Sequence, residues 1–182
     1  MSRRNSVRHN MIPFAGLLMA LAAIPAASAA ENFKLHGALV AEPCSLQSGD
    51  ESIELNFGNI VDKYLYTNQR THGKAFSLRL IDCDISLGKG VQISFSGAES
   101  LALPGLLALA AGSQAQGVAI GFETSAGQPL PLHAWGMQEA LANGDNTIAL
   151  QAYIQAEPNA AATKSIELGA FSAVATFSLR YE

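Results

Sequence analysis

Beyond residue 32, apolar and polar side chains alternate with a period of two over most of the chain. Phe33, Leu35, Gly37 and Leu39 alternate with Lys34 and His36, and Ile53, Leu55 and Phe57 with Glu54 and Asn56. Phe76, Leu78 and Leu80 follow, then Val91, Ile93 and Phe95, then Val118, Ile120 and Phe122. Ile148, Leu150, Ala152 and Ile154 form the next run, and the longest is Phe171, Ala173, Ala175, Phe177, Leu179 and Tyr181. Successive side chains of a strand point to opposite faces, so each run predicts a strand with one buried and one wet side. Turn chemistry punctuates them at Ser48-Gly49-Asp50, Gly88-Lys89-Gly90, Ala126-Gly127-Gln128-Pro129 and Asn143-Gly144-Asp145-Asn146. Short strands without a long amphipathic helix predict an all-β fold, an antiparallel sandwich. Two stretches depart from the pattern. Asn59 to Tyr66 reads as a helical turn or a loop, and Leu101 to Ala111, broken by Pro104 and Gly105, as a partly buried loop leading into a short strand.

The leading residues change the picture by placing the chain outside the cytoplasm. Arg3, Arg4 and Arg8 precede an apolar stretch from Ile12 to Ala23, and Ala27-Ser28-Ala29 is an A-x-A cleavage pattern. Residues 1–29 are therefore expected to be a signal peptide, with Ala30 as the first mature residue or a cut one residue later. A membrane anchor is the competing reading, but a span needs about 20 apolar residues and this core has roughly a dozen. Removing 1–29 takes three of the 11 Lys and Arg and none of the 15 Asp and Glu, leaving a formal charge of −7. Such a surface disfavours nucleic acid and anionic membranes as partners. The two cysteines, Cys44 and Cys83, are both mature and lack a nearby His, so a disulfide is expected over a zinc pair. Closing that loop stabilises the fold by about 4 kcal/mol on the chain-entropy account.

A question of topology remains. Glu182 directly follows the longest run, while an immunoglobulin-type sandwich needs about seven strands. If the Phe33–Leu39 run serves another domain, this one is a strand short.

Several segments together resemble the pilin subunits of chaperone–usher fimbriae, most nearly the minor subunits that act as tip adaptors in P and type 1 pili. They are Phe33-Lys34-Leu35-His36-Gly37-Ala38-Leu39-Val40 followed by Pro43-Cys44, and Phe76-Ser77-Leu78-Arg79-Leu80-Ile81-Asp82-Cys83. Gly117 to Phe122, Leu150 to Tyr153, Gly169 as the fourteenth residue from the end and the penultimate Tyr181 complete the set. The resemblance implies an incomplete immunoglobulin-like sandwich lacking its last strand, with a donor-strand extension at 30–38 and a pilin domain at 39–182. It implies that a periplasmic chaperone lends a strand and that a neighbouring subunit replaces it, with an outer-membrane usher assembling the fibre at the cell surface. Addition of a strand to an open sheet edge is a general recognition mode, of which pilin assembly is a known case. Phe33, Leu35, Gly37 and Leu39 are implied as the donor face. Gly169, Ala175, Phe177, Leu179, Tyr181 and Glu182 are implied as the strand that lines the acceptor groove, with the Glu182 carboxylate anchored by basic residues of the chaperone. The short arm before Gly37 suits a minor or adaptor subunit.

Candidate chemistry is sparse. His36, His72 and His133 fall in no H-E-x-x-H pattern, and Gly88-Lys89-Gly90 is no phosphate loop. Asp82 and Asp84 flank Cys83 at alternate positions and read as strand-end charge. Trp135 with His133 and Tyr153 suggests at most a sugar-stacking platform, the basis of the rival reading of a self-sufficient, secreted carbohydrate-binding adhesin. No catalytic residue, metal site or cofactor is expected.

Overall fold

The computed structural model describes Leu39 and residues 41–182. The expected signal peptide and the donor positions Phe33, Leu35 and Gly37 lie outside the described residues. In chain order the elements are β1 (Ser45–Leu46), α1 (Asp62–Asn68), β2 (Lys74–Cys83), β3 (Gly90–Gly97) and β4 (Val118–Thr124). Then come β5 (Glu139–Ala140), β6 (Gly144–Ala156), α2 (Pro158–Thr163) and β7 (Ala175–Tyr181). They form two antiparallel sheets, one ordered β1-β2-β6-β4 and the other β5-β3-β7.

The period-two residues meet between these sheets. Phe76 sits opposite Leu150 and Leu78 opposite Ile148 on the β2–β6 ladder, while Ile120 faces Ile154 on β4–β6. Leu78, Leu80, Leu150, Ile154 and Val91 are the most completely buried large side chains. Across the layer, Phe95 of β3 stacks on Phe122 of β4 with ring centroids 4.2 Å apart, and Phe76 meets Phe95 edge-on at 6.3 Å. Apolar area removed from water on these inner faces, plus aromatic contact, drives the two sheets together.

Cys83 shows how local geometry serves the core. Leu80 pairs with Asn146 but Cys83 with Gly144, so β2 carries one extra residue there, and Asp82 takes a left-handed φ of 53°. Such a bulge switches which face the next side chain occupies. Cys83 therefore turns inward and joins Cys44 in a disulfide that ties the entry to β1 to the end of β2. The same bulge separates the paired aspartates. Asp82 sits in the bulge, and Asp84 accepts from the Ser86 amide at 2.9 Å to form the turn that follows.

The ambiguous stretch 59–66 resolves into α1, which starts with Asp62, buries Leu65 and stops at Gln69, whose φ is 65°. Residues 101–111 are a loop in which Leu107 is bridged to Glu99 and Ile120, while Ala108 and Ala110 donate to the Ala98 and Ser172 carbonyls. One expectation fails. Ile53, Leu55 and Phe57 are each half-buried between exposed neighbours, as on a strand, yet they belong to no ladder among the described residues. Side-chain alternation reports which way residues face and is silent on whether the backbone beside them is paired. Likewise the last strand is laddered only from Ala175, although alternation starts at Phe171.

Candidate functional site

The site is an open backbone edge along residues 171–181. Glu182 donates its N–H to the Gly90 carbonyl at 3.0 Å, and its carbonyl oxygen accepts from Gly90 and Lys89 at 2.9 and 2.7 Å. In an antiparallel ladder such hydrogen-bonded pairs recur at every second residue. Arg180, Ser178 and Thr176, opposite Gln92, Ser94 and Ser96, thus carry the β3–β7 ladder. Upstream, the Ser172 and Ala170 carbonyls accept from Ala110 and Gln114, both at 2.8 Å. Even-numbered residues therefore satisfy one side. The N–H and C=O groups of Phe171, Ala173, Ala175, Phe177, Leu179 and Tyr181 point the other way, where β7 has no neighbouring strand among the described residues. The side chains of those same residues are only half-buried while packing on the core. Unpaired amides and half-covered apolar side chains thus mark the same line.

Across the gap stands a second wall. Leu46, Ile53, Leu55 and Phe57 also pack on the core and are also half-buried. At one end the Phe57 and Phe171 rings lie 6.3 Å apart. At the other, Pro43 accepts from the Asp84 amide, and the turn beyond it supplies the Lys89 and Gly90 amides that hold Glu182. The walls accordingly run antiparallel, near each other at both ends. Among the described residues no backbone hydrogen bond outside the ladders involves residues 51–60. What fastens this wall is side-chain chemistry: the Asp50 carboxylate at its start and Lys74 Nζ on the Asn56 carbonyl near its end.

A cavity of about 240 Å³ opens beside Phe171, lined by Ile60, Leu65, Val118, Ile154 and Ile166 among others. Helix α1 is placed to supply Leu65 to it. Gly169 lies on its rim at φ 153°, and a Cβ there would come within 2.5 Å of the Gln114 Cβ. Only glycine lets the chain pass so close to the 110–115 loop before turning into β7.

Electrostatics around the groove are mild. Burial raises the Tyr181 phenol above its ordinary value, with Glu42 adding to the shift. Asp50 accepts from the Arg79 amide at 2.8 Å and from its guanidinium Nε and Nη2 at 3.1 and 2.6 Å, which holds the carboxyl below the usual range. Among the described residues no cluster of three or more His, Cys, Asp and Glu is positioned for a metal, and no helix is long and apolar enough to cross a membrane.

Of the acceptor positions expected from sequence, Ala175, Phe177, Leu179 and Tyr181 face the open edge, Gly169 lies before it on the cavity rim, and Glu182 is bonded on the opposite side to Gly90. Leu39, the one donor position among the described residues, is fully exposed. Glu182 has a partner that sequence reasoning missed, the amides of Lys89 and Gly90. The opposite wall was missed as well, although the Ile53–Leu55–Phe57 period had marked it. Trp135, His133 and Tyr153 do not form a platform. Trp135 bridges to Ser94 of β3 with Arg180 4.4 Å above its ring, whereas Tyr153 is buried on β6 under Arg70, 3.7 Å from its ring.

The profile of the fimbrial protein family matches residues 33–182. KS71A fimbrillin of Escherichia coli is 32% identical over 172 residues, spanning 90% of this chain and 89% of that protein. The fimbrial adapter PapK of Escherichia coli is 30% identical over 178 residues, 94% and 99% of the two chains. Among solved structures, a chaperone–usher pilus superposes with a TM-score of 0.67 at 24% identity, covering 88% of this chain and 99% of that one.

Proposed function

We propose, since this chain belongs to the fimbrial protein family, that its groove accepts a β-strand from another polypeptide and that its own leading arm fills the groove of a neighbour. The chain is a structural subunit of a chaperone–usher pilus, exported to the cell surface as part of a fimbria. A periplasmic chaperone, the outer-membrane usher and adjoining subunits are its partners. Its work is binding, without turnover.

One observation carries this reading. Along 171–181 the odd-numbered residues have half-buried apolar side chains, and on the same side no strand is paired with their amides among the described residues. Such an edge invites pairing and aggregates unless covered. An extended segment laid along it would gain ladder hydrogen bonds from the odd positions and bury alternate side chains against Phe177, Leu179 and Tyr181. The arm 30–38, continuing to Leu39, has that pattern in Phe33, Leu35, Gly37 and Leu39. Burying Phe33 and Leu35 contributes roughly 1.5–3 kcal/mol each, and Gly37 allows close backbone approach. Likeness to an adapter, together with the short arm, supports a minor or adaptor position in the fibre.

The test is to express residues 30–182 alone and with a periplasmic pilus chaperone. Recovery of soluble protein only with the chaperone, or only with an added donor peptide, is the expected result. A soluble, cooperatively unfolding monomer that gains nothing from either would refute strand acceptance and favour a self-sufficient binding module.

A further inference from the structure

The wall 51–57 poses a physical problem. It faces the groove and packs on the core, yet among the described residues it has no backbone pairing, so side-chain contacts must set its distance from β7. β1 pairs Ser45 with Ile81 and Leu46 with Leu80, and Gln47 still donates to the Arg79 carbonyl at 2.8 Å. There the chain leaves β2 through the turn closed by Asp50 N–H on the Gln47 carbonyl at 3.0 Å. In a continued ladder the Gln47 carbonyl would take the Arg79 amide in return, but the turn has given it to Asp50. Instead Asp50 Oδ2 accepts that N–H at 2.8 Å, while Oδ1 and Oδ2 also take the Arg79 guanidinium. Asp50 is 5% exposed, one of few buried polar side chains, so it is fixed in place. Three charge-assisted bonds to one residue hold a carboxylate in a single geometry.

We infer that Asp50 is a positioning residue for strand acceptance: standing in for a backbone carbonyl on the edge of β2, it sets where the 51–57 wall lies and hence the width of the groove. The inference rests on the strand-accepting reading above and adds a residue outside the groove to it. Its logic is geometric. Glu54 and Asn56 side chains are exposed, and the wall's apolar residues are half-buried, so packing alone leaves its lateral position loosely defined. Asp50 supplies the fixed point from which Ile53, Leu55 and Phe57 are aimed.

The experiment uses the chaperone complex of residues 30–182, a synthetic peptide of residues 31–40 as incoming strand, and amide hydrogen exchange on the product. Asp50→Asn keeps the size and one acceptor but loses the charge. It is expected to raise the half-saturating peptide concentration roughly threefold to tenfold, as weakened charge-assisted hydrogen bonds imply. Exchange should quicken at 51–57 while the β3–β7 and β4–β6 ladders stay protected. Arg79→Gln, which retains the backbone N–H bond, should act in the same direction and carries the test if the first variant yields no complex. Unchanged peptide dependence in both variants, or faster exchange spread evenly over both sheets, would overturn the positioning role. A wild-type complex that takes up neither this peptide nor the leading-arm peptide of any other subunit of its pilus would instead overturn strand acceptance, and this inference with it.

Discussion

Asp50, Gly169 and Leu150 show three ways in which a single residue here carries more than its size. The folded chain holds the Asp50 carboxyl below its ordinary range, first through the Arg79 side-chain bonds, then the Arg79 amide and charge. A group with a lowered folded-state value stabilises fully above its unfolded value, about 3.9 for Asp. That contribution disappears as pH falls through the folded value. Denaturant unfolding of the strand-filled subunit between about pH 5 and pH 2 should therefore show a flatter acid limb for Asp50→Asn than for wild type. Parallel acid limbs would exclude the ion pair as a source of stability. At Gly169, a valine has nowhere to put its Cβ, which would meet the Gln114 Cβ at 2.5 Å. Gly169→Val should lower recovery of chaperone complex, and recovery equal to wild type would show that the 110–115 loop yields easily. Leu150 is 1% exposed, and Leu150→Ala is expected to cost about 2–5 kcal/mol in urea unfolding. Much of this scale could be read from the chain itself. The inward positions of β2, β3, β4 and β6 follow directly from period two. Asp50 could not be singled out, because its importance depends on which β2 amide the preceding turn leaves unpaired, a fact of three-dimensional register.

Elements tell a different story, in which the sequence pattern is right about faces and blind to partners. Ile53–Phe57 and Phe171–Val174 alternate like strands and are extended in burial, but the first is unladdered and the second is bonded to the 110–115 loop. Helices α1 and α2 are too short for periodicity to announce. Pro158 in the first turn of α2 and Asp62 in that of α1 are the only local signals, both common in loops. Two element-scale outcomes follow from β7 and the arm. Deleting Tyr181 and Glu182 removes the carbonyl held by Lys89 and Gly90 together with the last odd-numbered edge position. Chaperone complex should then be lost from periplasmic extracts, and normal yields would show that the edge ends earlier. Replacing Leu35 with Asp charges the donor face alone. Capture by the chaperone should persist while addition to the preceding subunit fails, as read by ladder formation on non-boiled gels; unchanged polymerisation would remove the donor role from that arm.

For the molecule as a whole, the disulfide and the gap act together. The Cys44–Cys83 bond ties the entry to β1 to the end of β2, so its loss should cost about 4 kcal/mol and loosen β1, and the wall that follows it, before the rest of the sandwich. A Cys44→Ser, Cys83→Ser chain is expected to give less chaperone complex under oxidising conditions, with reduction having no further effect on it. The near approach of the two walls at both ends has one more consequence. Residues 171–181 span about 33 Å at strand rise, between the Phe57–Phe171 aromatic pair and the turn that holds Glu182. On the strand-accepting proposal, a donor segment shorter than this line leaves rungs wet, so peptides trimmed below that length are expected to bind more weakly whatever side chains they carry.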